Sequence, residues 1–386
     1  MNLKAKQRFD FIIGNFLLWL NLIVTRILGF LLHRNHDTRQ QQPSNILVIK
    51  ILGFGSLVMA AHSIYSLKVK YPNARLILMC GPGVKEGAEL LKLFDDIWVI
   101  DDHSMISLAR SSFSALWKCW KMKKLWVMDL EVYSKLTTIF ALWTCAINRF
   151  GFIMKSVGFR FRLNTHNIYF NQFSIVEKNY QRVVTAMGCT EILSFQLSSD
   201  EKRNRDNLTT IAINNTCSDL SLERKMPDEQ LAKVIQWLLT NTAYQLVLLG
   251  APSDKPRNEQ LIKKYFTETS SDRLKNFAGE ISFGEYFKML YLKCRIMLTI
   301  DSGPLHIARL LGVPTLSLWG PTDPKAYIET GPIHRAIYLG VACSPCVHQV
   351  TELPCHGNNF CIKNISLEQI GTEFRELEKA NHEAGN

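Results

Sequence analysis

The apolar pattern changes period along the chain. Residues 11–32 (FIIGNFLLWLNLIVTRILGFLL) are apolar almost throughout. Asp10, Gly14, Asn21 and Thr25 fall at helical spacing and mark a narrow polar stripe, so this segment reads as one helix. The polar stretch 33–44 (HRNHDTRQQQPS) reads as a linker. From residue 45 short β-branched runs take over, predicting buried strands at 45–51, 74–79, 97–101 and 125–130. Helical stretches at 57–71, 84–94 and 104–123 separate them, and the alternation continues to about residue 190. Residues 198–208 (SSDEKRNRDNL) are polar and have no apolar period, which places a domain boundary there. Strands then recur at 209–214, 244–249, 296–301 and 314–319, with helices at 228–240, 256–266, 283–293 and 303–311. Such alternation with short turns is the pattern of an α/β fold with parallel sheets. The chain therefore reads as an N-terminal helix and linker (1–44) and two α/β domains (45–197 and 198–386). Two such domains form a cleft, and ligands bind at the carboxyl ends of the strands.

Composition excludes other classes. With 386 residues, 47% apolar and 20% charged, the chain is neither disordered nor fibrous, and no repeat of solenoid length is visible. The formal net charge of +11 points to anionic partners. Nucleic acid has only that charge in its favour, since no RNA- or DNA-reading motif accompanies it. The apolar N-terminal segment has Lys4, Lys6 and Arg8 before it and Arg34 after it, but no small-residue cleavage site follows. A helix lying on a membrane surface through residues 9–32 is the preferred reading. A transmembrane anchor, or a helix packed on its own protein, are the alternatives. Six of the ten cysteines sit in apolar stretches and read as reduced core thiols. Cys343, Cys346, Cys355 and Cys361 match four-thiolate zinc in number, but the second pair is spaced too widely for the usual pattern. Buried thiols or a disulfide are the preferred reading, and no metal is assigned.

The strongest chemical signal is TIDSGPLHIARLLGVPTLSLWGPTDP at 299–324. A strand ends in Asp301, and Ser302-Gly303-Pro304 opens a helix with His306 one turn in. Proline suits a first turn, and the free N–H groups there with the helix dipole make an anion site. The simpler reading is that Asp301 and Ser302 cap a helix. Dinucleotide chemistry finds little support. Gly53 and Gly55 supply two glycines of G-x-G-x-x-G, but Val58 stands at the third, and the second strand ends without an acid. No phosphate-binding Gly-Lys-Ser/Thr occurs either.

Asp-Ser-Gly-Pro-x-His, then Leu-Gly-Val-Pro and Trp-Gly-Pro-Thr-Asp-Pro, resembles glycosyltransferase family nine, the lipopolysaccharide heptosyltransferases. ILVIKILGFGSLVMA resembles that family's first strand and glycine loop, and the likeness runs over roughly residues 45–370. The resemblance implies a GT-B architecture, with the acceptor in the first Rossmann-like domain and the nucleotide-sugar in the second. It implies inverting transfer without a catalytic metal or other cofactor, from a nucleotide-sugar donor, heptose from ADP-heptose, to an anionic glycolipid of the lipopolysaccharide core. The N-terminal segment, by its apolar face and basic flanks together, would hold such a protein in the cytoplasm at the inner face of the cell membrane. By position, Asp301, Ser302, Gly303 and His306 would hold the diphosphate, with Arg224 standing where the family has a phosphate-contacting Lys. Thr216 and Ser218 would add hydroxyls, and Met226 replaces the usual Trp.

The glycine loop departs from the family. By the same resemblance Gly53, Gly55 and Ser56 would line the acceptor side, but the family's base is an Asp at the position of Ser56. A neutral alcohol needs its own base. The nearest substitutes are Glu131 and, second, Asp129, at the end of the fourth strand. The simpler readings are a first-turn acid for Glu131 and a helix cap for Asp129. If no carboxylate substitutes, the chain is a non-catalytic nucleotide-sugar or glycolipid binding protein.

Overall fold

Strands buried on both faces need helices on both sides, and their sequences lose alternation and become apolar runs. This computed structural model describes residues 3–197, 203–204, 208–217, 221–266, 272–347, 349–350 and 352–383. Most of the polar stretch 198–208 lies outside them. Contacts divide the chain into two units, Met1–Phe195 and Gln196–Asn386.

The first unit has strands β1 (Asn45–Ile49), β2 (Arg75–Cys80), β3 (Asp96–Val99), β4 (Leu125–Asp129), β5 (Asn148–Ile153) and β6 (His166–Tyr169). They form a parallel sheet in the order β3-β2-β1-β4-β5-β6. Its helices are α1 (Leu3–Leu32), α2 (Phe54–Met59), α3 (Ala61–Lys70), α4 (Pro82–Leu91), α5 (Met105–Trp120), α6 (Lys135–Trp143) and α7 (Val176–Ala186). The helix expected over 57–71 is two helices meeting at Ala60.

The second unit has β7 (Thr210–Asn214), β8 (Gln245–Leu248), β9 (Leu274–Asn276), β10 (Cys294–Ile300), β11 (Thr315–Trp319) and β12 (His334–Tyr338). Its order, β12-β11-β10-β7-β8-β9, is again parallel and repeats the first topology. Its helices are α8 (Asp228–Asn241), α9 (Lys255–Tyr265), α10 (Phe283–Leu292), α11 (Gly303–Leu310), α12 (Phe360–Lys363) and α13 (Leu367–Glu383). Numbered within each unit, both sheets run 3-2-1-4-5-6, the doubly wound order. The strand order reverses between β1 and β4, and between β7 and β10, which is where such sheets bind ligands.

The N-terminal helix packs on the first unit through its polar stripe. Asp10 accepts hydrogen bonds from Ser134 Oγ (2.8 Å), Lys135 N (3.0 Å) and Leu136 N (2.9 Å), so it caps α6 from another helix. Gly14 makes the close approach possible, because a Cβ there would lie 2.8 Å from Lys135 Cβ. Asn21 is buried and accepts from Trp143 Nε1 at 2.8 Å. Its polar side being inward, α1 exposes Phe11, Phe16, Trp19, Ile27 and Phe30. The expected linker is stitched down as well: Arg34 donates to Cys145 O (2.8 Å) and His36 Nδ1 bonds Ile147 O (2.7 Å).

Candidate functional site

In the second unit, β7 and β10 end side by side and present Asn214 and Asp301-Ser302 together. Ser302 is the N-cap residue of α11 by position, but its side chain caps nothing. Its hydroxyl instead accepts from Asn214 Nδ2 at 3.0 Å. The reading of Ser302 as an ordinary side-chain cap is therefore excluded, and its own hydrogen remains available to a ligand. Asn214 also accepts from Thr216 Oγ1 at 2.9 Å, which fixes the loop after β7. Asp301 is buried and accepts from Thr322 Oγ1 at 2.6 Å. Arg224 lies against it, donating from Nη1 to Asp301 O at 3.1 Å, with Oδ2 at 3.6 Å. A reciprocal pair between the Asn215 side chain and the Met226 backbone, both bonds 2.8 Å, holds the segment that carries Arg224. Met226 itself faces the core, where its apolar side chain is satisfied.

His306 is buried one turn into α11, and burial first, then Arg309, lowers its pKa to about 3. It is neutral at pH 7, so toward an anion it supplies a hydrogen bond and no charge. Positive charge comes from Arg224 and the helix end at Gly303. The structure thus gathers Thr216, Arg224, Asp301, Ser302, Gly303 and His306 around one switch point. Ser218 lies outside the described residues. Asn214 ends the strand expected at 209–214 and Thr322 lies in the 299–324 segment, but neither has a role legible in the sequence: as amide and hydroxyl they organise other side chains, and spacing carries no signal for that.

In the first unit, the loop after β1 turns at Gly53, whose φ of 80° is favourable only for glycine. Glu131 follows β4 and reaches back across the switch point. One of its oxygens accepts from Ile51 N (2.8 Å) and Leu52 N (2.9 Å) and pairs with Lys50 Nζ at 3.1 Å. Lys50 is buried. Burial pushes its ammonium down, but Glu131, Tyr180 and Asp129 together pull harder, and the net shift is upward. Burial raises the pKa of the Tyr180 phenol, and the Ser56 hydroxyl beside it acts in the opposite direction.

Asp129 is a correction to the sequence reading. It is 1% exposed and has both oxygens engaged: one accepts from Glu131 N (3.0 Å), the other from Thr137 Oγ1 (3.0 Å) and Arg160 Nη2 (3.2 Å). Burial raises its pKa to about 6 against the opposing pull of Arg160. Such a carboxylate braces the sheet edge and offers no face to an acceptor. Lys50 and Arg160, the cations that neutralise this pair of acids, had no sequence signal beyond being basic.

All ten cysteines are free thiols, and among the described residues no group of three or more His, Cys, Asp or Glu is placed to hold a metal. Of the six cysteines read as core thiols, Cys80, Cys119, Cys189 and Cys294 are buried, whereas Cys217 is half-buried and Cys145 is exposed.

The profile of glycosyltransferase family 9 (heptosyltransferase) matches residues 138–356, more than half of the chain. The chain belongs to glycosyltransferase family 9. Lipooligosaccharide heptosyltransferase 2 of Campylobacter jejuni is 29% identical over 93 residues, 23% of this chain and 27% of the relative. The chain thus matches less than a third of that relative's length. Among solved structures, ADP-heptose lps heptosyltransferase II of E. coli superposes with a TM-score of 0.67 at 17% identity, covering 88% of this chain and 99% of the other. E. coli heptosyltransferase WaaC, solved with ADP-2-deoxy-2-fluoro heptose, gives 0.65 at 11% identity, covering 86% and 99%. These likenesses bear out the GT-B fold class. The family 9 profile match takes in the whole Arg224–His306 constellation and begins after Ser56 and Glu131.

Proposed function

We propose that the protein is an inverting glycosyltransferase that moves heptose from ADP-heptose to an anionic glycolipid of the lipopolysaccharide core. The observation that carries the reading is the arrangement at the β7/β10 switch point. A diphosphate seated on the N-terminus of α11 would meet the Arg224 guanidinium, held by Asp301, the Ser302 hydroxyl, held by Asn214, and buried, neutral His306. Departure of ADP places negative charge against donors already oriented, which is how preorganised groups lower a barrier. Family membership supports this reading.

On the acceptor side Glu131 is the proposed base, with Gly53, Gly55 and Ser56 shaping the loop. Its anchored oxygen fixes the carboxylate, and its second oxygen is the one to receive the acceptor proton. The bonds from Ile51, Leu52 and Lys50 hold the carboxylate in one position. The non-catalytic alternative rests on Ser56 standing in the loop.

The protein acts at the cytoplasmic face of the membrane, held by the outward apolar side of residues 9–32. The helix Ala5–Leu31 is long and apolar enough to span a bilayer, yet its polar seam is spent on α6, which supports lying on the surface. The test is turnover of ADP-heptose with a heptose-deficient core glycolipid, read as ADP release, beside Arg224→Ala and Glu131→Gln. ADP release by the wild type that both substitutions leave unchanged would refute the site. ADP binding without any transfer would favour the binding-protein alternative.

A further inference from the structure

We infer that α5 is a second membrane-binding helix, and that α1, α6 and α5 together form a platform for a bilayer rich in anionic phospholipid. The inference rests on the proposed membrane attachment of α1 and extends it to a part of the α/β domain itself. α5 is inverted relative to an ordinary surface helix. Ala115, Leu116 and Cys119 face the core, as they should. The opposite face carries Ile106, Arg110, Phe113, Trp117 and Trp120 at helical spacing, and all five are exposed. Ile106 is 81% exposed, Phe113 59% and Trp117 52%. Single exposed apolar residues need no explanation, but an aromatic stripe along a whole helix does.

Charge says what covers it. α5 contains no acidic residue, and Arg110, Lys118, Lys121, Lys123 and Lys124 surround the stripe, all exposed. Lys121 Nζ lies 5.0 Å from the centre of the Trp117 ring. Aromatic side chains interleaved with basic ones match the headgroup layer of an anionic bilayer, where indole rings rest and cations find phosphate. A protein partner of ordinary composition offers no such match over this length.

Position supports the same occupant. Trp120 Nε1 donates to Trp143 O at 2.7 Å, and Trp143 Nε1 donates to Asn21 in α1 at 2.8 Å. The two outward apolar surfaces are therefore joined through α6. Lys6 of α1 pairs with Asp102, just before α5. α5 starts from the carboxyl edge of the sheet, the edge that carries the Gly53–Ser56 loop and Glu131. A bilayer on this platform would bring lipid headgroups to that edge, where a glycolipid acceptor has to arrive.

The experiment uses the full chain and sedimentation with vesicles of phosphatidylcholine alone or mixed with phosphatidylglycerol. The substitutions Ile106→Ser, Phe113→Ser and Trp117→Ser together touch only exposed side chains; circular dichroism and the thermal midpoint confirm folding. Binding to mixed vesicles should fall about tenfold or more. Lys121→Gln with Lys123→Gln should reduce binding to mixed vesicles about tenfold and leave phosphatidylcholine binding unchanged. A second measurement needs no disruptive variant: brominated acyl chains should quench the wild type more than Trp117→Phe, which keeps the affinity. Wild-type affinity in the triple variant and equal quenching in Trp117→Phe would overturn the role of α5. A matching variant of α1 (Phe16→Ser, Trp19→Ser, Phe30→Ser) separates the two ideas. If only it loses binding, α1 holds the membrane alone; if the wild type binds no vesicle, both readings fall.

Discussion

The two units carry the same sheet order and use their switch points differently. At β7/β10 the polar side chains organise one another and still leave donors for a ligand: Asn214 holds Ser302, Thr322 holds Asp301, and Arg224 rests on Asp301. At β1/β4 the charges are neutralised internally, Lys50 by Glu131 and Arg160 by Asp129. Both edges pair their charges, Arg224 with Asp301 at one and Lys50 with Glu131 and Arg160 with Asp129 at the other. On the proposed reading the first receives an anion at a helix N-terminus and the second moves a proton. The difference follows from side chains at equivalent places, since the backbone order is shared.

The comparison breaks most clearly at Arg224. Arg224→Ala should lower turnover by about 10²- to 10³-fold, the scale for losing an oriented donor to developing charge. ADP affinity measured by calorimetry should fall with it. Arg224→Lys should recover only part, because a point charge cannot make the forked contact. ADP binding as tight as in the wild type would remove the donor site from the second unit.

Glu131→Gln tests the other edge. It keeps an acceptor for Ile51 and Leu52 but removes the negative charge beside Lys50. Turnover should fall about 10²-fold, as expected for a general base, with the ADP affinity unchanged. A variant that melts earlier but turns over normally would make Glu131 a clamp of the loop and nothing more. Ser56→Ala should cost far less, since a neutral alcohol is not the base.

The pH response sharpens the contrast. His306 is lowered to about 3 and His334 to about 4, both chiefly by burial, from an ordinary 6.5. Both folded values lie below the unfolded one. Their contribution to stability is therefore complete above about pH 6.5 and is lost as pH falls toward the folded values. Asp129 has the opposite sign. Its pKa is raised to about 6, so its contribution is present below the unfolded 3.8 and lost as pH rises through 6. Denaturant titrations from pH 7 to pH 4 should show His306→Asn with a flatter acid loss than the wild type. An unchanged acid limb would show that this imidazole is not held neutral.

The smallest effect belongs to α1. Asp10→Ala removes a cap from α6 and should cost about 1 kcal/mol, read as a lower thermal midpoint. Deleting residues 1–43 should cost more than that one cap, because it also takes Asn21 from Trp143 and removes Arg34 and His36 from the carbonyls of Cys145 and Ile147. A truncated chain as stable as the full one would return α1 to the status of a detachable anchor.

The strands β1–β4, β7, β8, β10 and β11 were legible because their apolar runs are strong and bounded by glycine, proline or polar turns. β9 and β12 were not: β9 is three residues long and reads LKN, and β12 (HRAIY) carries two basic residues. They exist because a neighbouring strand supplies hydrogen bonds, a tertiary effect that overrides weak local preference. Of the proposed donor residues, 301–306 stood out because they are contiguous and sit in a distinctive motif, whereas Arg224, 77 residues from Asp301, was pointed to only by the family resemblance. The first-unit acids were only half legible. Alternation put Asp129 and Glu131 at one strand end, but their partners Arg160 and Lys50 are far away in sequence.

By itself, the sequence determined the alternation of strands and helices, the two-domain plan, the strand-to-helix turn at 301–306 and the polar stripe of α1. These depend on local period and composition, which the order of residues states directly. Only the tertiary structure decided which way the stripe on α1 faces, that Asp129 is enclosed, and that Glu131 is held by the loop after β1. Each is a matter of which long-range partner satisfies a polar group, and burial makes that partner obligatory without writing it into the neighbouring residues.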